Sequence, residues 1–282
     1  MTQFSLSQLF SGLFILCLVI TTCYLFILTK KQRHQQHQLH VTGLLKLDKY
    51  RKLLAQFQQH RGLSNGILNG DITLTPRLEA ASKLIQQSIT DIIATYPDMA
   101  ENERWLSMDD HWQRLSVYYH NLSVRHNLEQ HNKLVLNLLY LIDDIAVENK
   151  LHQLHNEESK SIQYLWQELL FTAESMAQIR ALGTGIAAAN LCTPVERIRL
   201  NYLCHSLEQS IAGQHNQNYL LTIAHLLTVI DCEVTIDKPT IKADRFFDIA
   251  TECIDMTFAS FDKQLNLIEQ KLHNATLRDE QH

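Results

Sequence analysis

Apolar positions along this chain form one unbroken run near the N-terminus and, after it, a succession of three- and four-residue spacings. The run at residues 9–28 has twenty residues, and no charged side chain occurs in the first 29 residues. At 1.5 Å per residue, such a run matches the roughly 30 Å hydrocarbon core of a bilayer. A cleaved signal peptide is the alternative, but the sequence shows neither the basic n-region nor the small-x-small cleavage site that it needs. The pattern predicts an uncleaved transmembrane anchor at residues 1–29.

Beyond a juxtamembrane segment at residues 30–44, the spacing becomes that of amphipathic helices. Leu44, Leu47, Leu54 and Phe57 fall on one helical face, so one helix is expected to run to about Leu68. Further helices are expected from Thr75-Pro76 to Pro97, at about 105–121, 128–147 and 157–189, from Thr193-Pro194 through Leu207, and at 218–234 and 244–272, with some strand character at 229–236. These eight helices predict an all-α domain at residues 45–277, followed by a tail at 278–282. Two up-and-down four-helix bundles that share their longest helices are the expected architecture.

Composition supports long helices and narrows the classes of function. Eight glycines and four prolines are few for 282 residues, which is typical of helices rather than hairpins. The net charge of −5 does not provide the basic stripe of a nucleic-acid surface. The sequence contains no glycine-rich phosphate loop, no Gly-x-Ser-x-Gly elbow and no Glu-x-x-His pair. The chain is therefore expected not to be an enzyme and to need no cofactor.

Clustered histidines raise the question of a metal site. His34, His37 and His40 follow the anchor at three-residue steps, and His152 and His155 precede a pair of glutamates. A zinc site needs three or four convergent ligands with supporting hydrogen bonds, whereas only Gln, Lys and Arg stand as polar neighbours of the first group. A solvated or headgroup-facing stretch is the favoured interpretation, and no metal site is predicted.

Charges beside the anchor predict its orientation. Lys30, Lys31 and Arg33 follow it directly, while the N-terminal flank carries no basic residue. Basic flanks stay on the cytoplasmic side, so residues 30–282 are expected in the cytoplasm, on a single-pass protein of a bacterial inner membrane. A periplasmic domain remains the alternative, because many anchored sensors face outward.

The most informative feature is an internal repeat. Residues 59–67 and 178–186 both have the pattern Q-x-R-small-L-small-x-G-I, with Arg61 and Arg180 separated by 119 residues. A Thr-Pro helix start follows each segment (Thr75-Pro76 and Thr193-Pro194). Five of the eight glycines lie in or beside the two segments, although glycine costs about 1 kcal/mol in a helix interior relative to alanine. The repeat therefore needs a physical explanation.

Two explanations stay open from the residues alone. In the first, Gly62, Gly66, Gly183 and Gly185 let two helices pack closely while each arginine reaches solvent or a nearby carboxylate. In the second, the helices approach because a ligand site lies between them. Two convergent guanidinium groups would suit a planar oxyanion and would be costly to bury without one. The candidate ligand-binding residues are Arg61, Ser64, Asn65, Arg180 and Thr184, which share helical faces at three- and four-residue steps.

The repeat also carries a resemblance to a known family. Residues 58–64 (Q-Q-H-R-G-L-S) resemble the N-terminal signature of the nitrate- and nitrite-sensing (NIT) domain family, and the stretch from Trp112 through His131 to residues 178–183 is similar to the rest of that pattern. His60 stands where the family commonly has an acidic residue, and Ala181 where glycine is usual. The resemblance implies an all-helical domain of two four-helix bundles that senses nitrate or nitrite through arginines at the bundle interface. It implies Arg61 and Arg180 as ligand contacts.

A membrane-anchored sensor without its own output module is the function expected on these grounds. Binding of nitrate or nitrite would pass along the helix that joins Leu68 to the anchor and reach a separate signalling protein or a second subunit in a homodimer. The alternative is a membrane-tethered helical scaffold that keeps the fold without the ligand.

Overall fold

A computed structural model describes residues 6–280 of the chain, and within that range it is helical with no β-strand. The eight α-helices are α1 (Leu6–Leu68), α2 (Thr75–Thr95), α3 (Glu103–Tyr118), α4 (Val124–Glu148), α5 (Leu170–Ala189), α6 (Pro194–Ser210), α7 (Gln217–Val229) and α8 (Ala243–Glu280). The predicted all-α class and the number of helices are therefore confirmed. The first residues of the predicted anchor, 1–5, and the last of the predicted tail, 281–282, lie outside the described residues.

The first helix is continuous from the apolar run into the folded domain. It has 63 residues and a length of about 95 Å at 1.5 Å per residue. Within the described residues, it is the one helix long and apolar enough to cross a membrane by length and composition, with a mean hydropathy of 2.4 over its 18-residue apolar window. No residue of that window is buried, whereas Leu44, Leu47 and Tyr50 are fully enclosed. The juxtamembrane segment at 30–44 therefore continues the helix without a break.

Two local predictions are wrong. The helix expected to begin near residue 157 begins later, because residues 154–163 form a turn that an isolated antiparallel bridge between His155 and Ser161 closes. Ser159 takes a positive φ of 61° there, which a helix does not allow. The expected strand character at 229–236 is also not realised, since Ile230–Val234 forms a π-helical turn that extends α7. The predicted tail at 278 continues as helix to Glu280.

The two Thr-Pro sequences begin helices in different ways. The Thr193 side chain accepts a hydrogen bond from the Glu196 backbone while the Glu196 carboxylate accepts from the Thr193 backbone, so a full capping box opens α6. Thr75 is instead the first residue of α2, and its hydroxyl donates to the Ile72 carbonyl oxygen. A short 3₁₀ turn, Ile72–Leu74, precedes it, so Leu74 is the N-cap residue of α2.

Packing centres on α1 and α5. The domain part of α1 contacts α2, α4, α5 and α8, and α5 contacts α1, α6 and α8. One large apolar cluster runs through these helices, and a smaller one forms at the C-terminal end of α1 from Leu63, Leu74, Leu78, Ala81 and Phe247. The boundary between the two clusters coincides with the repeated segments, which places them in the interior of the domain.

Candidate functional site

The two repeated segments lie side by side because α1 and α5 pack in parallel. The Gln58 side-chain amide donates to Glu174 Oε2 over 3.0 Å, and the Asn65 side-chain amide donates to the Ala181 carbonyl oxygen over 2.7 Å. Both pairs are separated by 116 residues in sequence, and a constant separation means that the helices run in the same direction. The repeat itself has a separation of 119, so equivalent residues are three positions out of register.

Glycines allow close packing here, both between α1 and α5 and against α8. A Cβ atom added to Gly183 would collide with the ring of Phe246, and one added to Gly185 would collide with the Asn65 side-chain amide. At Gly62 it would stand 2.8 Å from Cε2 of Phe247, and at Gly66 it would stand 2.5 Å from Cδ1 of Leu74. All four glycines of the packing interpretation therefore face a neighbouring side chain at a distance that larger residues would not tolerate.

Arg61 is fully buried and its charge is neutralised inside the protein. Nη1 donates to Glu174 Oε1 over 2.6 Å, and Nη2 donates to Glu174 Oε2 over 3.0 Å. A further bond from Nη1 reaches Asn132 Oδ1 at 2.8 Å. Bidentate pairing of this kind is the strongest geometry available between a guanidinium and a carboxylate. The guanidinium group expected to face an anion is thus held by Glu174, which sequence reasoning did not identify.

Arg180 is buried without such a partner. Its side chain is 2% exposed, and Nη1 donates to the Thr251 hydroxyl over 2.9 Å. Nε and Nη2 have no hydrogen-bond partner among the described residues. The guanidinium carbon lies 4.6 Å from the centre of the Phe247 ring, over its face. Burial, and next the positive charge of Arg61, lower the pKa of Arg180 to about 9, so the group stays charged at neutral pH.

Helix geometry explains which neighbours the two arginine side chains reach. Side chains of an α-helix lean toward its N-terminus, and in a parallel pair both arginines lean the same way. Because facing residues of α1 and α5 are 116 positions apart in sequence, Arg61 lies opposite Ala177. Its side chain reaches Glu174, one turn closer to the N-terminus of α5. Arg180 leans in the same direction, toward Gly62 of α1. A Cβ atom added to Gly62 would lie 3.6 Å from Arg180 Nε. Arg61 therefore reaches Glu174, while its positive charge still lowers the pKa of Arg180.

The other three candidate residues are buried between the same helices. The Ser64 hydroxyl donates to the Arg61 carbonyl oxygen over 3.1 Å and accepts from the Asn127 side-chain amide over 3.1 Å. The Thr184 hydroxyl and Asn65 Oδ1 are buried and have no hydrogen-bond partner among the described residues. Polar atoms without partners at such depth are costly to bury.

Charges farther from Arg180 are paired or partly solvated. Arg77 lies over the same Phe247 ring, at 4.7 Å, and forms a half-exposed ion pair with Asp248 over 2.7 Å. Asp255 raises the pKa of Arg180 from a longer distance without forming an ion pair with it. It borders a surface cavity that Thr251 also lines. Burial raises the pKa of Asp255 itself. Three ionised groups are buried between α1 and α5: Arg61, Glu174 and Arg180. Of these, Arg180 alone has no direct counter-charge.

A buried histidine pair adjoins the arginine cluster, and the sequence patterns did not predict it as a site. His60 Nδ1 lies 2.8 Å from His131 Nε2, and the two rings are stacked with their centres 5.1 Å apart. Burial lowers the pKa of both groups, to about 3 for His60. In the described part of the chain, no group of three or more His, Cys, Asp or Glu side chains is arranged to hold a metal ion.

In comparisons with known proteins, no family model, no curated protein and no solved structure matches the chain.

Proposed function

We propose that this protein is a membrane-anchored sensor that binds a small oxyanion between α1 and α5, with Arg180 as the principal contact. The observation that carries the proposal is the enclosed guanidinium of Arg180, with two nitrogens that lack hydrogen-bond acceptors and no carboxylate within ion-pair distance. Isolated buried charges are strongly destabilising, whereas an anion in bidentate contact would satisfy both the charge and the donors. Nitrate or nitrite as the ligand rests on the resemblance of the two repeated segments to the NIT family.

Residues around Arg180 favour a planar, compact ligand. Gly62 has no side chain, and a Cβ there would lie 3.6 Å from Arg180 Nε and 2.8 Å from Cε2 of Phe247. The Thr184 hydroxyl is one further donor without a partner, and the Phe247 ring covers one face of the guanidinium. Arg61 takes part indirectly, through its pairing with Glu174 of α5. Asn65 bonds α1 to the α5 backbone at Ala181, and Ser64 bonds α1 to Asn127 of α4.

Signal transfer would use the continuity of α1. Anion binding between α1 and α5 changes how these two helices pack, and α1 extends without interruption from the arginine cluster to the apolar segment. The packing of α1 with α2 and α4, and of α5 with α6 and α8, supports two bundles that share this central pair. Such coupling requires different anion affinities in two packing states. The output would pass to a separate signalling protein or a second copy of the chain in the bacterial inner membrane.

Thermal unfolding of the full chain in detergent micelles tests the proposal. Nitrate, nitrite and chloride are titrated at constant ionic strength into the wild-type protein and into Arg180→Met. We expect a saturable rise in Tm with nitrate or nitrite for the wild type, because a ligand that binds only the folded state stabilises it. Arg180→Met should lose this rise. Equal behaviour of the two proteins with every anion would reject the sensor function. Arg77→Met is the matched control, since it removes a half-exposed arginine from the same Phe247 ring.

A tethered scaffold is the second candidate, and one observation favours it. Arg61, which the resemblance assigns to the ligand, already pairs with Glu174 through both of its Nη atoms. If the titration shows no saturable effect of any anion, the chain keeps the fold and the anchor but not the sensing activity.

A further inference from the structure

Glu174 occupies the kind of cradle that a bound oxyanion would need. Arg61 Nη1 and the Gln178 side-chain amide donate to Oε1 over 2.6 and 2.8 Å. Arg61 Nη2 and the Gln58 side-chain amide donate to Oε2, each over 3.0 Å. Two donors per oxygen, in a symmetrical arrangement around a planar anion, are what a protein offers to a carboxylate or an oxyanion ligand. Here the anion belongs to the chain itself.

The charge balance of the interface follows from this arrangement. Arg61 and Glu174 cancel one another, and Arg180 is left as one positive charge without a direct counter-charge. Farther out, Arg77 is paired with Asp248, and Asp255 adds only negative charge to the surroundings of Arg180. Among the described residues, no other ionised side chain forms an ion pair with Arg61, Glu174 or Arg180. The buried cluster of these three side chains therefore has a net formal charge of about +1.

We propose that Glu174 is a built-in counter-anion that restricts the site to one monovalent oxyanion and excludes divalent anions such as sulfate. This inference rests on the proposed function, because it concerns the selectivity of the same site. A monovalent anion leaves the buried cluster neutral, whereas a divalent anion leaves an uncompensated negative charge in a poorly solvated interior. Removal of the Glu174 charge would free Arg61 and make a second guanidinium available.

Glu174→Gln tests this role while it keeps the size of the side chain. The full-length protein in detergent micelles is titrated with nitrate and with sulfate at matched ionic strength, and Tm is followed. We expect sulfate to stabilise the variant with a half-saturating concentration at least about tenfold lower than any that the wild type shows, as expected for one added charge-assisted contact. Nitrate affinity should rise by a similar factor.

Asp262→Asn is the matched control, because Asp262 accepts a 2.7 Å bond from the buried Arg51 and its loss changes the net charge by the same amount. Sulfate stabilises many proteins without specific binding, and this control should show only that non-saturating rise. If Glu174→Gln and Asp262→Asn respond alike to both anions, the counter-anion role is overturned while the nitrate response of the wild type keeps the sensor function.

A double variant covers the case in which Glu174→Gln does not fold. Arg61→Gln with Glu174→Gln removes both members of the pair and leaves Arg180 alone, so the preference for nitrate over sulfate should remain that of the wild type. Gain of saturable sulfate binding by this double variant would contradict the proposal. A wild type that responds to neither nitrate nor nitrite, together with a Glu174→Gln variant that binds anions, would reject both the sensor function and the selectivity role, because Glu174 would then block the site.

Discussion

His60 and His131 share one buried hydrogen bond, 2.8 Å long, in which His60 Nδ1 is the donor. The direction follows from the second nitrogen of His131, since its Nδ1 lies 2.9 Å from the Asn127 carbonyl oxygen, which only accepts. His131 Nε2 is therefore the acceptor, and His60 Nε2 also carries a lone pair that has no partner among the described residues. Both rings are neutral, one turn from the arginine cluster.

Acid should destabilise this protein through the histidine pair. The pKa of both groups is lowered in the folded state by burial, to about 3 for His60, so below pH 6.5 the unfolded chain binds protons that the folded protein does not. The free energy of unfolding falls as pH decreases from about 6.5 toward 3, by up to about 1.4 kcal/mol per pH unit for each histidine. Urea unfolding between pH 7 and 4 measures this slope.

The double variant His60→Gln with His131→Gln should make that slope shallower. The number of protons taken up on unfolding should fall by up to about two. The exposed His225 provides a control variant, His225→Gln. A slope that is identical in the double variant and the control would show that the pair does not titrate on unfolding.

A double-mutant cycle should show strong coupling between Arg61 and Glu174. Arg61→Met leaves a buried carboxylate without its partner, and Glu174→Met leaves a buried guanidinium, so each single variant should lose about 3–5 kcal/mol of unfolding free energy. The double variant replaces a buried ion pair by apolar side chains and should lose much less than the sum. Additive losses in urea unfolding would mean that the two groups do not act as a pair.

Gly183→Ala should destabilise the contact between α5 and α8. The added Cβ would collide with the fully buried ring of Phe246, and we expect a net loss of about 1–3 kcal/mol despite the higher helix propensity of alanine. Gly213→Ala is the control, because nothing lies within 4 Å of a Cβ at that position. Equal Tm values for the two variants would contradict the close-packing role of Gly183.

Labelling of Cys232 should reveal the side of the membrane on which the domain lies. Its thiol is exposed, whereas Cys192 and Cys253 are buried and burial raises the pKa of Cys253 to about 12. A membrane-impermeant maleimide should fail to label intact bacterial cells with permeabilised outer membranes and should label the chain after lysis, as the positive-inside rule predicts. Cys232→Ser should abolish the signal. Labelling before lysis would instead place the domain in the periplasm.

The type and number of the helices could be predicted from the sequence because they depend on local patterns. The three- and four-residue spacing of Leu44, Leu47 and Leu54 marks a buried helical stripe wherever the helix packs. Thr193 and Pro194 specify a helix start through bonds to residues three positions away. The turn near Ser159 was missed for the same reason: its bridge and positive φ leave no signal in apolar periodicity.

The candidate site could be predicted only in part from the sequence. The repeat identified Arg61, Arg180 and the four glycines, and these segments do lie together. Glu174 has no distinguishing local pattern, and only its position one turn before Gln178 on the helix would have drawn attention to it. Phe247 and Thr251, which surround the Arg180 guanidinium, belong to a helix that begins more than sixty residues later in the chain.

By itself, the sequence determined the helices, the apolar segment and the two segments that pack closely, because side-chain periodicity and glycine content act within a few residues of the chain. The tertiary structure alone decided which arginine keeps an unpaired charge. Parallel packing of α1 and α5 makes both side chains lean the same way, and the register of 116 residues brings Glu174 under Arg61 and Gly62 under Arg180. Direction and register between distant helices arise from the packing of the whole core, which no local pattern encodes.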